Sequence, residues 1–448
     1  MRYQWIDCAL LAGIAAILVN CVSPIIYLAI LLYWCLVGIV RQWRYHFINS
    51  MAMKGINEKN RDLIYFVHYI LTANDLNFEC HLSMAVIGLL STYSIPSIST
   101  LLKSTGGFSN DIQRRYADME ILIREFNENP PNGIKRESIE TFNWLWYNSY
   151  PRNKYKNNST ISIEEMYKDY NERARKAIFR LNAIHNKYSS RILYRDMLYV
   201  LSIFTTTGAA YCNDNSFCVI RSMSPFEREA CFHHWMEIGR LMNLDVDSEW
   251  KSFDECLQWR RAYEKKFRKY FEANKIIAHS TIEYFIDFII QYIPSKTIIN
   301  FVRSLLLMIL SYFQEDNDAR IALGLHPTVP LAVSITITCC LYFRCFVIRN
   351  FMFPLPLSWT ARLTNIAGIP LNDAAQSHCP MMQYKYYLNN WLDYGNTAYT
   401  PYLGHHKVSK AYIIEHLGPE VINKGDTCVE PVYAERRKKE QKQNEPNI

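Results

Sequence analysis

Residues 180–207 read RLNAIHNKYSSRILYRDMLYVLSIFTTT. Arg180, Asn182 and His185 fall within one short stretch whose apolar spacing is that of a helix. Leu181, Asn182, His185 and Tyr188 lie at i, i+1, i+4 and i+7 and share one face, while Arg180 sits off that face with the reach to curl around it. Upstream, Ser162-Ile-Glu-Glu165 forms a capping box that opens this helix. Downstream, Asp196 is an N-cap or first-turn acid for a second apolar helix, Met197–Thr205, where a carboxylate complements the helix dipole. Two successive helices with no strand-like alternation set the fold class as all-α.

The same periodicity extends in both directions. Leu63–Leu71 and Leu82–Thr92 are apolar with helical spacing, and IPSISTLLKSTGGF (Ile95–Phe108) then interrupts the pattern with Pro96 and the Gly106-Gly107 pair. Asn129–Tyr150 and Arg152–Thr160 read as a polar loop. Ser224-Pro-Phe-Glu227 combines a cap, a first-turn Pro and a returning Glu, and the helix it opens sets Phe232, Trp235, Met236, Gly239 and Met242 on one face. Further helices are predicted at Asp254–Arg268, Ile276–Tyr292, Thr297–Phe313 and Leu331–Asn350. The expected organisation is a membrane anchor over 1–45, a helical-bundle catalytic domain over 46–430 and a charged, disordered tail over 431–448.

The anchor rests on Ala9–Val40, which carries no charged residue and exceeds the roughly 20 apolar residues that cross a bilayer as a helix. Arg41, Arg44, Lys54, Lys59 and Arg61 follow it, against Arg2 before it, so the positive-inside rule places the body in the cytosol. Leu331–Phe343 is also uncharged but ends at Arg344. It is short for a span and reads as a buried core helix or one lying on the membrane, which leaves a single N-terminal transmembrane helix.

Half of the 448 residues are hydrophobic and the net charge of +7 is partly concentrated in the tail, so neither a disordered chain nor a nucleic-acid-binding protein is indicated. Thirteen cysteines without a CxxC pair read as free thiols in a reducing compartment. GxSxG, Walker, GxGxxG and HExxH motifs are all missing, which removes common hydrolase, nucleotide and zinc-protease chemistry. Histidine remains. On a rigid helix, His185 can ligate iron as a neutral imidazole, and the Arg180 guanidinium can pair a propionate. Residue types alone favour a hydrogen-bonded core role for such a histidine. His279 in IIAHSTIEYF is the second candidate. His233 and His234 diverge on a helix and cannot both face one metal, and His326, His378, His405 and His406 sit in predicted loops. Asn157 and Asn158 form sequons that matter only in a lumenal body.

Several blocks occur in a familiar order. These are IPSISTLLKSTGGF with RRYADMEILIREF, RLNAIHNKY with DMLYVLSIF, SPFEREA with HHWMEIGRLMNL after Arg221, NDARIALGLHP, RNFMFPLP and YIIEHLGPE. Together they resemble the MpaB-type ER-bound oxygenases of the mycophenolic-acid pathway, relatives of the rubber oxygenases, over roughly residues 60–425. The resemblance implies a membrane-anchored α-helical oxygenase of the endoplasmic reticulum. It would use haem b and O2 to cleave a carbon–carbon double bond in a hydrophobic, prenyl-type substrate of secondary metabolism. Arg180, Asn182, His185 and Tyr188 would form the cofactor site, with His185 as metal ligand and His279 as the alternative. Leu201 stands where the bacterial rubber oxygenases carry an axial His. The rival reading is a non-catalytic helical protein that binds at the membrane surface and has lost the cofactor.

Overall fold

The computed structural model describes residues 6–7, 9–14, 24–106, 112–135, 138, 163–214, 219–290, 296–314, 316–354 and 427–428. Among these residues there are helices and turns and no strand, so the all-α class is borne out. Ser162, the sequons, His378, His405, His406, the YIIEHLGPE block and the 431–448 tail lie outside the described residues.

The first long helix, α1 (Pro24–Asn57), has two personalities. Its N-terminal half exposes Ile25, Ile26, Leu28, Leu32, Leu36 and Ile39, whereas its C-terminal half buries Ile48, Met51 and Ala52. Gly55 allows the close approach of α2 (Arg61–Ile70), since a Cβ there would lie 3.2 Å from Leu63 Cβ. Asn60 caps α2 by accepting from the amides of Asp62 and Leu63. The chain then passes through a π-helical turn (Leu71–Asp75), α3 (Asn77–Ser83), a second π turn (Met84–Gly88), α4 (Leu89–Tyr93) and α5 (Pro96–Ser104). Pro96 opens α5 at its first turn, where a missing N–H costs nothing.

The centre of the bundle is built by α6 (Ile112–Glu128), α7 (Ile163–Lys187), α8 (Tyr194–Asn213) and α9 (Pro225–Leu241). The capping box at Ser224 forms as the sequence dictates, with Ser224 Oγ accepting from Glu227 N and Glu227 Oε2 accepting from Ser224 N. Phe232, Trp235, Met236, Gly239 and Met242 all lie in the core. Asp196 sits in the first turn of α8 but does not cap it; its buried carboxylate accepts from Tyr263 Oη at 2.5 Å. Short α10 (Val246–Glu249) leads to α11 (Phe253–Phe267), α12 (Glu272–Ile290), α13 (Lys296–Phe313) and α14 (Asn317–Leu323), which ends at Gly324 with φ of 69°.

The last described helix corrects the sequence reading. α15 runs from Leu331 to Phe351, 21 residues, so it is long and apolar enough to cross a membrane, as is α1. It is no buried core helix: Leu331, Ile335 and Phe343 are 76%, 54% and 67% exposed. The apolar stretch outlasts Arg344 because Arg344 and Arg349 turn inward onto acids, Glu79 and Asp7, that are distant in sequence. Among the described residues, the expectation of one apolar, membrane-length helix therefore becomes two.

Candidate functional site: buried imidazoles between the helices

Helices α6 and α7 pack antiparallel. Arg173 pairs with Glu125 at one end, and His185 lies beside the Arg115 guanidinium at the other. That register sets Arg180 level with the buried Asp118. Arg180 is among the largest fully buried side chains, at 1% exposure. His185 is half-buried, and desolvation of its ring together with Arg115 lowers its pKa to about 4, so the ring is neutral at physiological pH. The predicted shared face is only partly a site. Asn182 donates from Nδ2 to Leu241 O at 3.0 Å and ties α7 to the end of α9. Tyr188 is half-buried, with the Arg191 guanidinium 5.7 Å from its ring centroid.

A second imidazole site escaped the sequence reading. His68 on α2 and His234 on α9 are both buried and stack face to face, their centroids 3.9 Å apart and their planes 14° from parallel. The C-terminal end of α6 fixes both tautomers. His68 Nε2 lies 2.8 Å from Asn127 Oδ1 and so carries the proton, leaving Nδ1 without a partner. The Phe126 carbonyl accepts from His234, leaving Nε2 of that ring without a partner. Burial lowers the pKa of His68 to about 4 and drives that of His234 well below its usual value. Two neutral rings with bare lone pairs, each held in orientation by a hydrogen bond from its opposite N–H, resemble metal-ligating imidazoles. Their parallel planes prevent both from meeting one ion. At about 1.5 Å of rise per residue, Arg115 and Phe126 are roughly 16 Å apart along α6, so this pair and His185 are separate places.

The remaining sequence candidates fare differently. The His279 side chain is 67% exposed and sits 3.8 Å from Glu283, which makes it a surface residue rather than a core ligand. Glu237, one turn beyond His233, meets Arg61 and Asn132. Leu201 is buried against Gly239, where an added Cβ would come within 2.6 Å of Leu201 Cδ2. Among the described residues, no group of three or more His, Cys, Asp or Glu side chains is arranged to hold a metal ion. The sequence contained one overlooked signal for the missed pair, a lone histidine in the wholly apolar face of α2; its partner on α9 is joined only by the tertiary fold.

Fold and site together define a helical protein with a membrane-length N-terminal helix and buried neutral imidazoles inside its bundle. No family model matches the chain. Two curated proteins from Penicillium brevicompactum are similar to it. The ER-bound oxygenase mpaB' is 23% identical over 364 residues, covering 76% of this chain and 73% of that protein. The ER-bound oxygenase mpaB is 25% identical over 185 residues, covering 40% of this chain and 37% of that protein. The MpaB-type resemblance is thereby borne out across most of the chain.

Proposed function

We propose that this protein is a membrane-anchored, haem-dependent oxygenase of the endoplasmic reticulum, with its helical body in the cytosol and a hydrophobic, isoprenoid-type substrate. The observation that carries the haem reading is His185, an imidazole held neutral on a rigid helix beside the Arg115 guanidinium. A neutral imidazole is the form that ligates iron, and Arg115 and Arg180 supply the positive charge that haem propionates require. A neutral imidazole and buried guanidiniums on neighbouring helices are the groups this chain would offer to haem.

When bound, haem supplies the oxygen activation that no side chain of this chain provides. The chain's own residues do the rest. His185 would hold the iron through its lone pair, and desolvation keeps that lone pair free of a proton. Arg115 and Arg180 would orient the cofactor by its carboxylates. The surrounding apolar core excludes water, which favours reaction with a hydrocarbon double bond over release of reduced oxygen. The exposed apolar half of α1 keeps the body where an apolar substrate partitions. O2 is the co-substrate, and no nucleic acid takes part.

The orphaned nitrogens of His68 and His234 favour a second reading, in which one of these rings is the iron ligand. The visible spectrum of protein purified in mild detergent, before and after hemin addition, tests both. A Soret band that His185→Ala abolishes and His234→Ala spares supports the first reading, and the reverse supports the second. No Soret band in either condition sinks the haem proposal and favours the rival, a cofactor-free binding protein of the membrane surface.

A further inference from the structure

We propose that α15 is a second membrane-embedded element, lying along the body with its outer face in contact with lipid acyl chains. The inference rests on the reading of α1 as the anchor.

Three features of α15 converge. The first is the distribution of its side chains. Tyr342, Cys345, Phe346 and Arg349 turn toward the protein, at i, i+3, i+4 and i+7. Toward its N-terminal end the helix is exposed over a wider arc, through Leu331, Ile335, Thr336, Thr338, Cys339 and Cys340, which Phe343 continues, and none of these residues is charged. Both arginines of the helix are drawn inward. Arg344 lies 2.9 Å from Glu79 Oε1 and Arg349 lies 2.7 Å from Asp7 Oδ2. In water such an uncharged apolar strip carries a free-energy cost that hydrocarbon removes.

The second feature is the exposed hydroxyls. Thr336 Oγ1 donates to Ala332 O and Thr338 Oγ1 donates to Ser334 O, each at 2.8 Å and each one turn back. Back-bonding of this kind satisfies a hydroxyl within the helix, so Thr336 adds no unmet polar group to the exposed strip, and Thr338 is met by Tyr312 Oη as well.

The third is continuity with α1. Tyr33 Oη donates to Phe351 O at 2.7 Å, Arg41 Nε donates to Met352 O at 2.9 Å, and Trp34 packs edge-on to Phe351 at 5.3 Å. The C-terminal end of α15 therefore sits beside the exposed apolar part of α1. Its approach is fixed to the body as well, since Ser311 Oγ accepts from His326 N at 3.2 Å and Tyr312 Oη lies 2.9 Å from Thr338 Oγ1. Held from Thr338 to Met352 by Tyr312, Glu79, Asp7 and α1, the helix lies along the body over that length and would meet the bilayer sideways, in the manner of a monotopic helix.

Native thiols make this testable in the full-length chain. Cys339 and Cys340 are exposed on α15, and Cys35 is exposed on α1. The protein, carrying Lys265→Cys on the polar helix α11 as a water-facing reference, is reconstituted in phosphatidylcholine vesicles made permeable to small solutes. It is treated with a sulfonated, membrane-impermeant maleimide and mapped by peptide mass. A parallel sample is irradiated with a lipid-soluble diazirine. The expected result is labelling of Cys339, Cys340 and Cys35 at least about tenfold slower than Lys265→Cys, since a thiol in hydrocarbon does not ionise, with carbene adducts on both α1 and α15. Fast labelling at Cys339 and Cys340 with Cys35 still protected overturns the inference and leaves the anchor standing. Protection without carbene adducts on α15 overturns it in favour of a protein cover such as a second copy. Fast labelling at Cys35 removes the anchor reading and this inference together.

Discussion

His68, His185 and His234 share one electrostatic fate, and its sign sets how the protein responds to acid. Folding desolvates each ring and lowers its pKa, to about 4 for His68 and His185 and well below the usual value for His234. Unfolded, each ionises near 6.5, so below that pH the unfolded chain binds more protons than the folded one. Their contribution to stability is complete above about pH 6.5 and is lost as pH falls toward 4. Chemical denaturation in detergent should show the midpoint dropping steeply between these values, and His68→Gln should flatten the slope. A midpoint that stays level across the window contradicts the burial of neutral rings. At the same scale, Gly239→Ala drives a methyl to 2.6 Å from Leu201 Cδ2 and 2.7 Å from Val246 Cγ1. Overpacking of this kind costs about 1–3 kcal/mol. The loss should appear as a lowered denaturation midpoint that Leu201→Ala in the same chain partly restores; if the double variant is no better than the single one, the clash lies elsewhere.

At the scale of elements, what was readable from sequence is what local chemistry decides. The Ser224 capping box, Pro96 at the head of α5 and the apolar periodicity of α12 and α13 all act within a turn or two, and the helices stand where that chemistry puts them. Features decided by distant partners stayed hidden. The π turn at Leu71–Asp75 is held by Arg44 and Arg221, which both reach Asp75. The inward turn of Arg344 and Arg349 on α15 depends on acids at residues 79 and 7, and the His68–His234 stack depends on the packing of α2 on α9. Arg221 also links these levels, because its guanidinium grips Glu227 at 2.8 and 2.9 Å while Glu227 serves as the returning acid of the cap. Ser224→Ala removes one capping bond and should cost about 1 kcal/mol. Glu227→Ala removes the cap's second bond and unbalances a buried charge network, so it should cost about 3–5 kcal/mol. Equal losses for the two variants, measured by denaturation, would show that Glu227 acts only as a cap residue.

For the whole molecule, the two apolar helices and the charge around them decide topology. Five basic residues, Arg41, Arg44, Lys54, Lys59 and Arg61, follow the exposed half of α1, and on the positive-inside rule the proposed orientation puts that end in the cytosol. Helix α15 does not reverse this, because its first residues follow a segment bonded to Ser311 and its last residues are bonded to α1. As the sideways element proposed above, α15 would add membrane contact without adding a crossing. Two consequences follow for the chain expressed in a eukaryotic cell. The sequons at Asn157 and Asn158 should remain unmodified, and endoglycosidase should leave the protein's mobility unchanged. Deleting Met1–Val40 should weaken membrane association, yet leave a fraction on membranes that high salt does not remove, because the residual contact is apolar rather than ionic. Glycosylation at either Asn would put the body in the lumen and overturn the orientation. Full release of the truncated but folded chain into the soluble fraction would show that α1 alone supplies the membrane contact.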